Sequence, residues 1–324
     1  MTLSRRELLA GAGGAAALLA RGAQAQAFPS RPITIVVPYP PGAATDQVAR
    51  LVQQRMQAEV PVPVVVESRA GANGNVGAAY VAKSPPDGYR ILLATQPILT
   101  INPYVYKNVG FDPNKELTPL TCATNAVVCI VAHPSLPANN VAELIAYGKA
   151  NPNVLNYGTA GAGTPQHVGG LLFAQRGGFQ WTHVGYRGGG PMVTDLLAGT
   201  IKTGIVTLSA VKSHVEGGRL KVLAIGEKTR FPGAQNLPTI AETLPGFELT
   251  TWLGFFGPGG LPAEVTQYLS RALVNSLNAN EVKAKLLDLG LPVRAEGPAQ
   301  LAQLVAAEQA IYSRIVREGN ITAE

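Results

Sequence analysis

Charged residues are scarce in this chain, and no part of it concentrates charge of one sign. Only 14% of the 324 residues are charged while 46% are hydrophobic, which is too apolar for an intrinsically disordered chain. The 26 lysines and arginines form no long basic run, so nucleic-acid binding has little support. The composition indicates a folded protein, and its length predicts two domains.

Motifs for metal binding and for nucleophilic catalysis are also missing. The four histidines show no metal-ligand spacing such as H-E-x-x-H, and the chain has no G-x-S-x-G nucleophile turn. We therefore predict no cofactor, no metal site, no catalytic residue and no enzymatic activity. A serine, a histidine and an aspartate scattered along the chain would leave no such motif, so an enzyme stays open as an alternative.

Cysteine is rare, and its spacing argues against a disulfide. Cys122 and Cys129 lie in TCATNAVVCIVAH, a stretch that is largely typical of strand. Seven strand residues span on the order of 20 Å, whereas a disulfide needs Cα atoms within about 7 Å. Unless the chain turns sharply at Thr124 and Asn125, we predict two free thiols in the core.

Apolar runs long enough to span a bilayer are missing after the N-terminus, which itself resembles an export signal. Arg5 and Arg6 precede the apolar run 8–20, and Ala23-Gln24-Ala25 offers an A-x-A cleavage site. A buried N-terminal helix is the poorer interpretation, because it would be almost all alanine and glycine. Residues 1–25 are thus predicted to be a signal peptide, and the mature protein is predicted to be periplasmic. The twin-arginine route is one export route that this segment allows.

Loss of the signal peptide changes the charge of the protein only slightly. Residues 1–25 contain three arginines and one glutamate, so their removal lowers the formal net charge from +6 to +4. A mildly basic mature protein suits an anionic ligand.

Short apolar runs alternate with helical patterns from residue 31 onward, which is the pattern of an α/β protein. The segment 263–316 is predicted to be mostly helical. The predicted strands are ITIVVP (33–38), PVVVES (63–68), RILLAT (90–95), VLNYGTA (154–160), THVGY (182–186), TGIVTL (203–208) and KVLAIG (221–226).

No linker separates two halves of the chain. Instead, apolar stretches near 119–133 and 247–257 are long enough to run from one domain into the other. We predict a discontinuous domain I of residues 26–123 plus 250–324, a domain II of residues 124–249, and a ligand cleft between them.

Glycine-rich turns feed helices four times, at 37–46, 69–75, 157–167 and 186–191. The predicted helix caps are Thr45, then Asn73 or Asn75, then Thr164 ahead of Pro165, and finally Gly190 ahead of Pro191. Helix N-termini hold anions through free amides, and such turns lie where open α/β sheets bind ligands. Turns of this kind are routine in α/β folds, but two from each domain favour an anion site.

Several side chains beside these turns have two interpretations. Asp46 and Asp195, placed at predicted helix starts, are dipole partners or groups that orient waters or a ligand amine; in an enzyme they would be catalytic. His167 has a capping or surface role, or a role in the site. Tyr39 and Trp252 pack in the fold or stack on a ligand.

Longer motifs resemble one family along essentially the whole mature chain. The segments VPYPPGAATDQVAR, VVESRAGANGNVGAAYVAKSPPDGYRILLAT, LNYGTAGAGTPQHVGGLLF, THVGYRGGGPMVTDLLAGTI and WLGFFGPGG follow one another in the family's order and spacing. The chain resembles the Bug-type receptors, the periplasmic substrate-binding subunits of tripartite tricarboxylate transporters. This resemblance implies an α/β two-domain periplasmic binding protein, a type II-like Venus flytrap with hinge strands crossing between the domains.

The resemblance also implies a ligand carboxylate held by loop backbone groups and ordered waters. The proximal carboxylate would meet the 39–46 turn and the 158–164 loop. Gly42-Ala43 stands where the family often has Gly-Gly, which leaves the particular acid open. The implied ligand-binding residues are Tyr39, Gly42, Ala43, Thr45, Asp46, Ala72, Asn73, Gln96, Thr159, Ala160, Gly161, Thr164, Gly188, Gly189, Asp195 and Thr207.

The partners implied by the resemblance are a small carboxylate and a membrane permease made of a large and a small subunit. No nucleic acid is expected, and a monomer is expected because a receptor docks by one face. Two alternatives stay open: a receptor that presents its ligand to a periplasmic sensor rather than to a transporter, and a periplasmic enzyme on the same scaffold.

Overall fold

Eleven strands divide into two separate sheets in the computed structural model, which describes residues 28–42, 44–186, 188–318 and 321–322. The first sheet has the order β11-β4-β10-β3-β1-β2 and the second β7-β6-β8-β5-β9. Strands β1, β2 and β3 are parallel, and β10 runs antiparallel to β3 and β4. The first sheet comprises β1 (Ile33–Val37), β2 (Val64–Ser68), β3 (Arg90–Thr95), β4 (Leu117–Ala126), β10 (Thr251–Pro258) and β11 (Val293–Glu296).

Helices cover both faces of the first sheet, which explains why its inner strands β1, β3 and β10 are mainly apolar and buried. Ile35 of β1 packs into a core with Leu273, while its neighbour Val36 packs into the opposite core with Trp252 and Leu301. The helices associated with this sheet are α1 (Ala44–Met56), α2 (Asn75–Ala82), α3 (Gln96–Thr100), α4 (Asn102–Val105), α9 (Ala263–Asn278), α10 (Asn280–Asp288) and α11 (Pro298–Glu318).

The second sheet is built in the same way from the middle of the chain. Ile130 of β5 packs in one core with Phe173, and its neighbour Cys129 packs in the other with Met192. Its elements are β5 (Val128–Ala132), β6 (Asn156–Thr159), β7 (Thr182–Gly185), β8 (Thr203–Thr207), β9 (Lys221–Ile225), α5 (Val141–Ala150), α6 (Pro165–Gly177), α7 (Gly189–Leu197) and α8 (Leu208–Glu216).

The predicted secondary structure is confirmed for all seven strands, with ends that differ by at most two residues. The helical C-terminal segment is confirmed as α9, α10 and α11. Both cysteines are free and buried, as predicted, because Cys122 lies in β4 and Cys129 in β5, in different sheets. Among the described residues, none of the helices is long and apolar enough to cross a membrane. The predicted signal peptide lies outside the described residues.

The chain passes from the first sheet to the second at Val127, the single residue between β4 and β5. The Val127 amide donates to Gly290 O at 3.1 Å, and its carbonyl accepts the Leu208 amide at 2.7 Å. The return follows β9, where Leu249 still packs in the core of the second sheet and Leu253 in that of the first. Strand β4 continues to Ala126, three residues beyond the predicted end of the first part of domain I.

Gly226 fixes the start of this return segment. Its amide donates to Val128 O at 2.8 Å, and its carbonyl accepts the Leu249 amide at 2.9 Å. A Cβ at this position would lie 2.0 Å from Leu249 O, a backbone atom. The two segments that cross between the sheets therefore meet where only glycine fits.

We expect Gly226→Ala to lower the free energy of unfolding by about 1–3 kcal/mol, because a side chain forces the two crossing segments apart. Gly190→Ala is the matched control, since its Cβ would have no neighbour within 4 Å and alanine favours a helix over glycine by about 0.5–1 kcal/mol. Urea unfolding followed by circular dichroism measures both. Equal midpoints for the two variants would contradict this account of the crossing.

Candidate functional site

The 39–46 turn joins β1 to α1 and is held by an aspartate in the first turn of that helix. Asp46 is 4% exposed, and its Oδ2 accepts the Gly42 amide at 3.0 Å and Arg50 Nε at 2.9 Å. The hydrogen bond from Arg50 contributes most to lowering the pKa of this carboxyl. Asp46 therefore stays ionised and closes the turn through a backbone amide.

Thr45 does not cap this helix, so the predicted cap is wrong. Helix α1 begins at Ala44, which places Thr45 inside its first turn. The buried Thr45 Oγ1 and Asp46 Oδ1 have no hydrogen-bond partner within the described ranges. Ala43, another predicted site residue, lies outside those ranges.

The 69–75 turn has a left-handed backbone at two non-glycine residues. Ala72 has φ 45° and Asn73 has φ 50°, conformations that persist only where the surroundings enforce them. Asn102 of α4 enforces this one: its Nδ2 donates to Asn73 O at 3.2 Å, and its Oδ1 accepts from Asn73 Nδ2 at 3.2 Å. The turn is thus fixed by a side chain 29 residues away.

Neither Asn73 nor Asn75 caps α2, contrary to prediction. Gly74 occupies the cap position with φ 91° and no side-chain hydrogen bond. A Cβ there would lie 2.6 Å from Ile98 Cδ1. Glycine therefore suits this position twice: it adopts the positive φ, and it leaves room for Ile98. Asn75 Oδ1 accepts from Asn102 at 2.7 Å, and its buried Nδ2 has no partner within the described chain.

Tyr39 connects the first two turns. Its hydroxyl lies 2.9 Å from Thr95 Oγ1 and donates to Asn73 O at 3.3 Å. Burial raises the pKa of this phenol to about 12, so it remains a neutral hydrogen-bonding group. The first two turns and the end of β3 therefore form one connected surface.

Gln96 follows β3 and faces the C-terminal helix. Its Nε2 donates to Glu308 Oε2 at 2.7 Å, and the same carboxylate oxygen accepts Trp252 Nε1 at 2.9 Å. Trp252 thus has a structural partner, as its packing interpretation implied. Gln96 is 1% exposed and its Oε1 has no described partner, so one buried acceptor is left.

Glu308, which contacts Gln96, belongs to a group of acidic side chains with Glu227 and Glu248 around Arg294. Burial raises the pKa of Glu308, and burial together with the charge of Glu248 raises that of Glu227 to about 7, against the lowering effect of Arg294. Glu227 Oε1 is buried without a described partner. The negative charge behind the turns is therefore partly suppressed by protonation.

The 158–164 loop joins β6 to α6, and Thr164 caps that helix as predicted. Thr164 Oγ1 accepts the His167 amide at 3.2 Å and donates to Gly161 O at 2.8 Å, with Pro165 at the first helical position. Thr159 Oγ1 also contacts Gly161, at 3.0 Å from its carbonyl oxygen. Two threonine hydroxyls thus fix the Gly161 peptide.

Two imidazoles lie directly beneath this loop. His167 and His183 stack with ring centroids 3.8 Å apart and an interplanar angle of 19°. His167 Nδ1 accepts the Gly163 amide at 3.1 Å, and His183 Nε2 lies 2.7 Å from Thr159 Oγ1. His167 therefore has a role in the loop, whereas sequence analysis assigned His183 no role beyond its place in a strand.

The 186–191 turn lies beside the 158–164 loop, since the Gly188 amide donates to Ala160 O at 2.9 Å. Helix α7 begins at Gly189, with Gly188 in the cap position, so the predicted cap at Gly190 is wrong by two residues. Cβ atoms at Gly188 and Gly189 would meet nothing within 4 Å. The turn faces open space. Arg187 lies outside the described residues.

Asp195 and Thr207 are less closely tied to the turns. Asp195 is the seventh residue of α7 rather than at its start, and it accepts a hydrogen bond from Tyr186 Oη at 2.8 Å. Thr207 ends β8, and its hydroxyl accepts from Ser209 at 3.2 Å. The structure gives neither residue a contact with the predicted residues of the other turns.

An apolar cluster bridges the two sheets next to the loops. Ile101 and Val105 of the first-sheet side pack with Val168 of α6 and with Val316 near the C-terminus. A Cβ at Gly163 would lie 3.3 Å from Val105 Cγ2. Since Asn102 of α4 also holds the 69–75 turn, the turns of the two sheets belong to one contiguous region.

This arrangement offers neutral hydrogen-bonding groups and helix N-termini rather than cationic side chains. None of the described residues in the predicted site set is a lysine or arginine. Its buried, unpartnered polar atoms are Thr45 Oγ1, Asp46 Oδ1, Asn75 Nδ2 and Gln96 Oε1. Because Asp46 Oδ1 only accepts, it suits a bound water or a donor group of a ligand. The described residues contain no group of three His, Cys, Asp or Glu side chains that could hold a metal ion.

A separate cavity of about 450 Å³ lies between α8 and α10, and none of the turn residues lines it. Its walls are mainly apolar, with Leu208, Phe231 and Leu287 among them, and the Lys212–Asp288 ion pair (2.6 Å) lies at its edge. It lacks the buried unpartnered polar atoms of the turns, so the turns remain the candidate site.

Two α/β sheets joined by crossing segments, with glycine turns from both at one region, define the two-domain periplasmic binding protein fold. A family model described as the tripartite tricarboxylate transporter family receptor matches residues 48–321. The chain belongs to this receptor family, which confirms the resemblance found in the sequence. Membership places it among periplasmic solute-binding proteins, which are binding proteins rather than enzymes.

Individual relatives agree with this assignment over nearly their full lengths. BugT of Bordetella pertussis is 31% identical over 306 residues, covering 94% of each chain. A structure of Rhodopseudomonas palustris Rpa4515 with adipate is 33% identical with a TM-score of 0.83, covering 91% of this chain and 99% of that one. MatC of the same organism with bound malate is 29% identical with a TM-score of 0.78, covering 89% and 100%.

We expect Glu227 to make stability depend on pH, since its carboxyl keeps its proton in the folded protein to about pH 7. The unfolded chain releases that proton above about pH 4.5, so stability falls as pH rises from 4.5 to 7 and changes little from this source above 7. Glu227→Gln removes the effect.

The measurement is thermal unfolding of wild type and Glu227→Gln between pH 4.5 and pH 8, with exposed Glu318→Gln as control. The difference in melting temperature between Glu227→Gln and wild type should grow in favour of the variant as pH rises to 7. A constant difference across this range would show that the Glu227 carboxyl titrates normally.

Proposed function

We propose that the protein is a periplasmic receptor that captures a small organic carboxylate and delivers it to a tripartite tricarboxylate-type membrane transporter. The observation that carries the proposal is the joining of four glycine turns, two from each sheet, into one region rich in helix N-termini. Adipate in Rpa4515 and malate in MatC are dicarboxylates bound by proteins of the same fold. They support a carboxylate as the ligand here.

The proposed ligand cleft lies between domain I, residues 26–123 plus 250–324, and domain II, residues 124–249. The proposed binding residues are the sixteen of the four turns and adjacent strand ends that the resemblance implies. In this scheme the hydrogen bonds that hold Gly42, Asn73, Gly161 and Gly188 in place keep amides and helix ends oriented before the ligand arrives. Preorganised dipoles of this kind bind an anion without the cost of desolvating an arginine.

Ligand capture would stabilise the domain arrangement in which the two pairs of turns meet. The apolar cluster of Val105, Val168 and Val316 closes the same region from its side. A ligand that contacts both pairs of turns shifts the population toward this form by its differential affinity. The closed form is the one that we propose docks on the membrane subunits.

A thermal-shift screen of residues 26–324 tests the ligand class, with a panel of adipate, malate, other C4–C8 dicarboxylates, citrate, acidic amino acids and aromatic acids. A true ligand at one hundred times its Kd stabilises the fold by about 2.7 kcal/mol, which we expect to raise the melting temperature by several degrees. Mass spectrometry should recover the acid unchanged. The absence of any shift with folded, ligand-free protein would count against the carboxylate receptor.

We expect Asp46→Ala to weaken binding of the tightest acid of this panel by about tenfold or more, because the Gly42 amide loses the acceptor that closes the turn. Arg50→Ala is the matched control: it removes the other partner of Asp46, leaves the Gly42 hydrogen bond, and should change the Kd by less than about threefold. Isothermal titration calorimetry measures both. Equal losses would show that the ion pair, not the turn, matters.

A further inference from the structure

The stacked histidines, here called the imidazole pair (His167 and His183), lie outside the proposed ligand-binding residues but contact two of them. His183 Nε2 lies 2.7 Å from the hydroxyl of Thr159, and the His167 amide donates to the hydroxyl of Thr164. His183 comes from β7 and His167 from the first turn of α6. The pair therefore joins the strand before one proposed binding turn to the helix after the other.

The hydrogen bond from Gly163 fixes the protonation state of His167. Gly163 N donates to His167 Nδ1 at 3.1 Å, so Nδ1 presents a lone pair and the ring proton sits on Nε2. A protonated imidazole is a donor at both nitrogens. The Gly163 amide would then face a second donor, and this hydrogen bond of the 158–164 loop would be lost.

His183 acts on the same loop through Thr159. The Thr159 hydroxyl is fully buried and lies 3.0 Å from Gly161 O and 3.3 Å from Gly161 N. Gly161 has φ 152°, in the region that favours glycine. The Gly161 peptide is therefore oriented by a hydroxyl whose own partner is an imidazole nitrogen.

The surroundings of the pair disfavour positive charge. Tyr157 of β6 packs against His183 at 5.2 Å between ring centroids, and its phenol, whose pKa is raised by burial, donates to His167 O. Within the described residues, no carboxylate forms an ion pair with either ring. Burial lowers the pKa of both imidazoles, and the neighbouring His167 helps to bring that of His183 to about 4.

We propose that His167 and His183 are positioning residues for the 158–164 loop, and that the loop keeps its binding geometry only while the His167 ring is neutral, so that ligand binding weakens on acidification. The inference rests on the proposed function and deepens it, since it predicts that ligand binding at this loop weakens at low pH. If the charge of an anionic ligand were the only effect, the pH dependence of binding would be the opposite. The anion would favour protonation of nearby imidazoles and would therefore bind more tightly at low pH.

A non-titrating pair tests the proposal. In His167→Asn the amide oxygen replaces Nδ1 as acceptor for Gly163, and in His183→Gln the amide replaces Nε2 beside Thr159; neither side chain takes up a proton. His133→Asn is the control, because His133 is half-buried and bonded to Ser135 rather than to the loop. Each protein is titrated with the tightest acid of the panel from pH 7.5 to pH 4, with circular dichroism to verify that it remains folded.

We expect the wild-type Kd to rise over this range by more than that of the double variant and His133→Asn to follow wild type, because protonation of His167 breaks the Gly163 hydrogen bond. The double variant should match wild type at pH 7.5 within about threefold. At lower pH its Kd should change only as far as protonation of the ligand itself changes it, an effect that all three proteins share. A double variant with the wild-type pH profile, or a wild type that binds more tightly in acid, would overturn the proposal.

The ligand-free protein provides a readout that does not depend on the proposed function. In NMR spectra the Gly163 amide proton should shift with the same apparent pKa as the His167 ring, and this shift should be missing in His167→Asn. If no acid of the panel binds, the proposed carboxylate-receptor function fails. The NMR titration still shows whether the loop responds to protonation of His167. A Gly163 amide that ignores the titration of His167 would refute the positioning role.

Discussion

The backbone polar groups of the strand-to-helix turns are the constraint on which the rest of this structure depends. A turn between a buried strand and a helix leaves amides and carbonyls that neither element satisfies, and an unsatisfied buried group costs about as much as a lost hydrogen bond. This chain meets the demand with neutral or acidic side chains. Asp46 accepts from the Gly42 amide, Asn102 donates to the Asn73 carbonyl, and His167 accepts from the Gly163 amide. These hydrogen bonds hold the turn backbone without a cationic side chain as their partner.

Local patterns were sufficient to predict the elements and the two-domain fold. The inner strands of the first sheet are apolar on both faces because helices cover both faces. This apolar pattern can be recognised in five or six consecutive residues of the sequence. Thr164 followed by Pro165 is likewise a local cap signal, and it was correct. The caps at Thr45 and Gly190 were wrong because α1 begins at Ala44 and α7 at Gly189, each two residues before the helix start that its predicted cap implies.

The partners that fix the turns could not be predicted, because they come from distant segments. Asn102 is 29 residues from Asn73, Glu308 is 212 from Gln96, and His183 is 24 from Thr159. Periodicity and capping rules carry no information about such pairs. The family resemblance indicated the turns themselves, but it gave no role to the side chains beneath them. Sequence analysis assigned a possible role only to His167, beside its glycine loop; a strand histidine that precedes a glycine turn, as in THVGY, is a local signal that was not used.

Neutral turns also explain how acidic groups are tolerated close to a site proposed for an anion. Glu308 contacts Gln96, Glu227 and Glu308 share Arg294 as a charged neighbour, and fully ionised carboxylates there would repel a bound carboxylate. Burial instead raises the pKa of both, and Arg294 offsets part of the remaining charge. The region behind the turns is thus less negative at neutral pH than its composition suggests, and the orienting dipoles of the helix N-termini are opposed by less charge. In the proposed site, selectivity among acids would depend on shape and on the few unpartnered atoms at the turns, of which Asp46 Oδ1 and Gln96 Oε1 only accept. A ligand, or a water bound with it, would supply donors to these atoms.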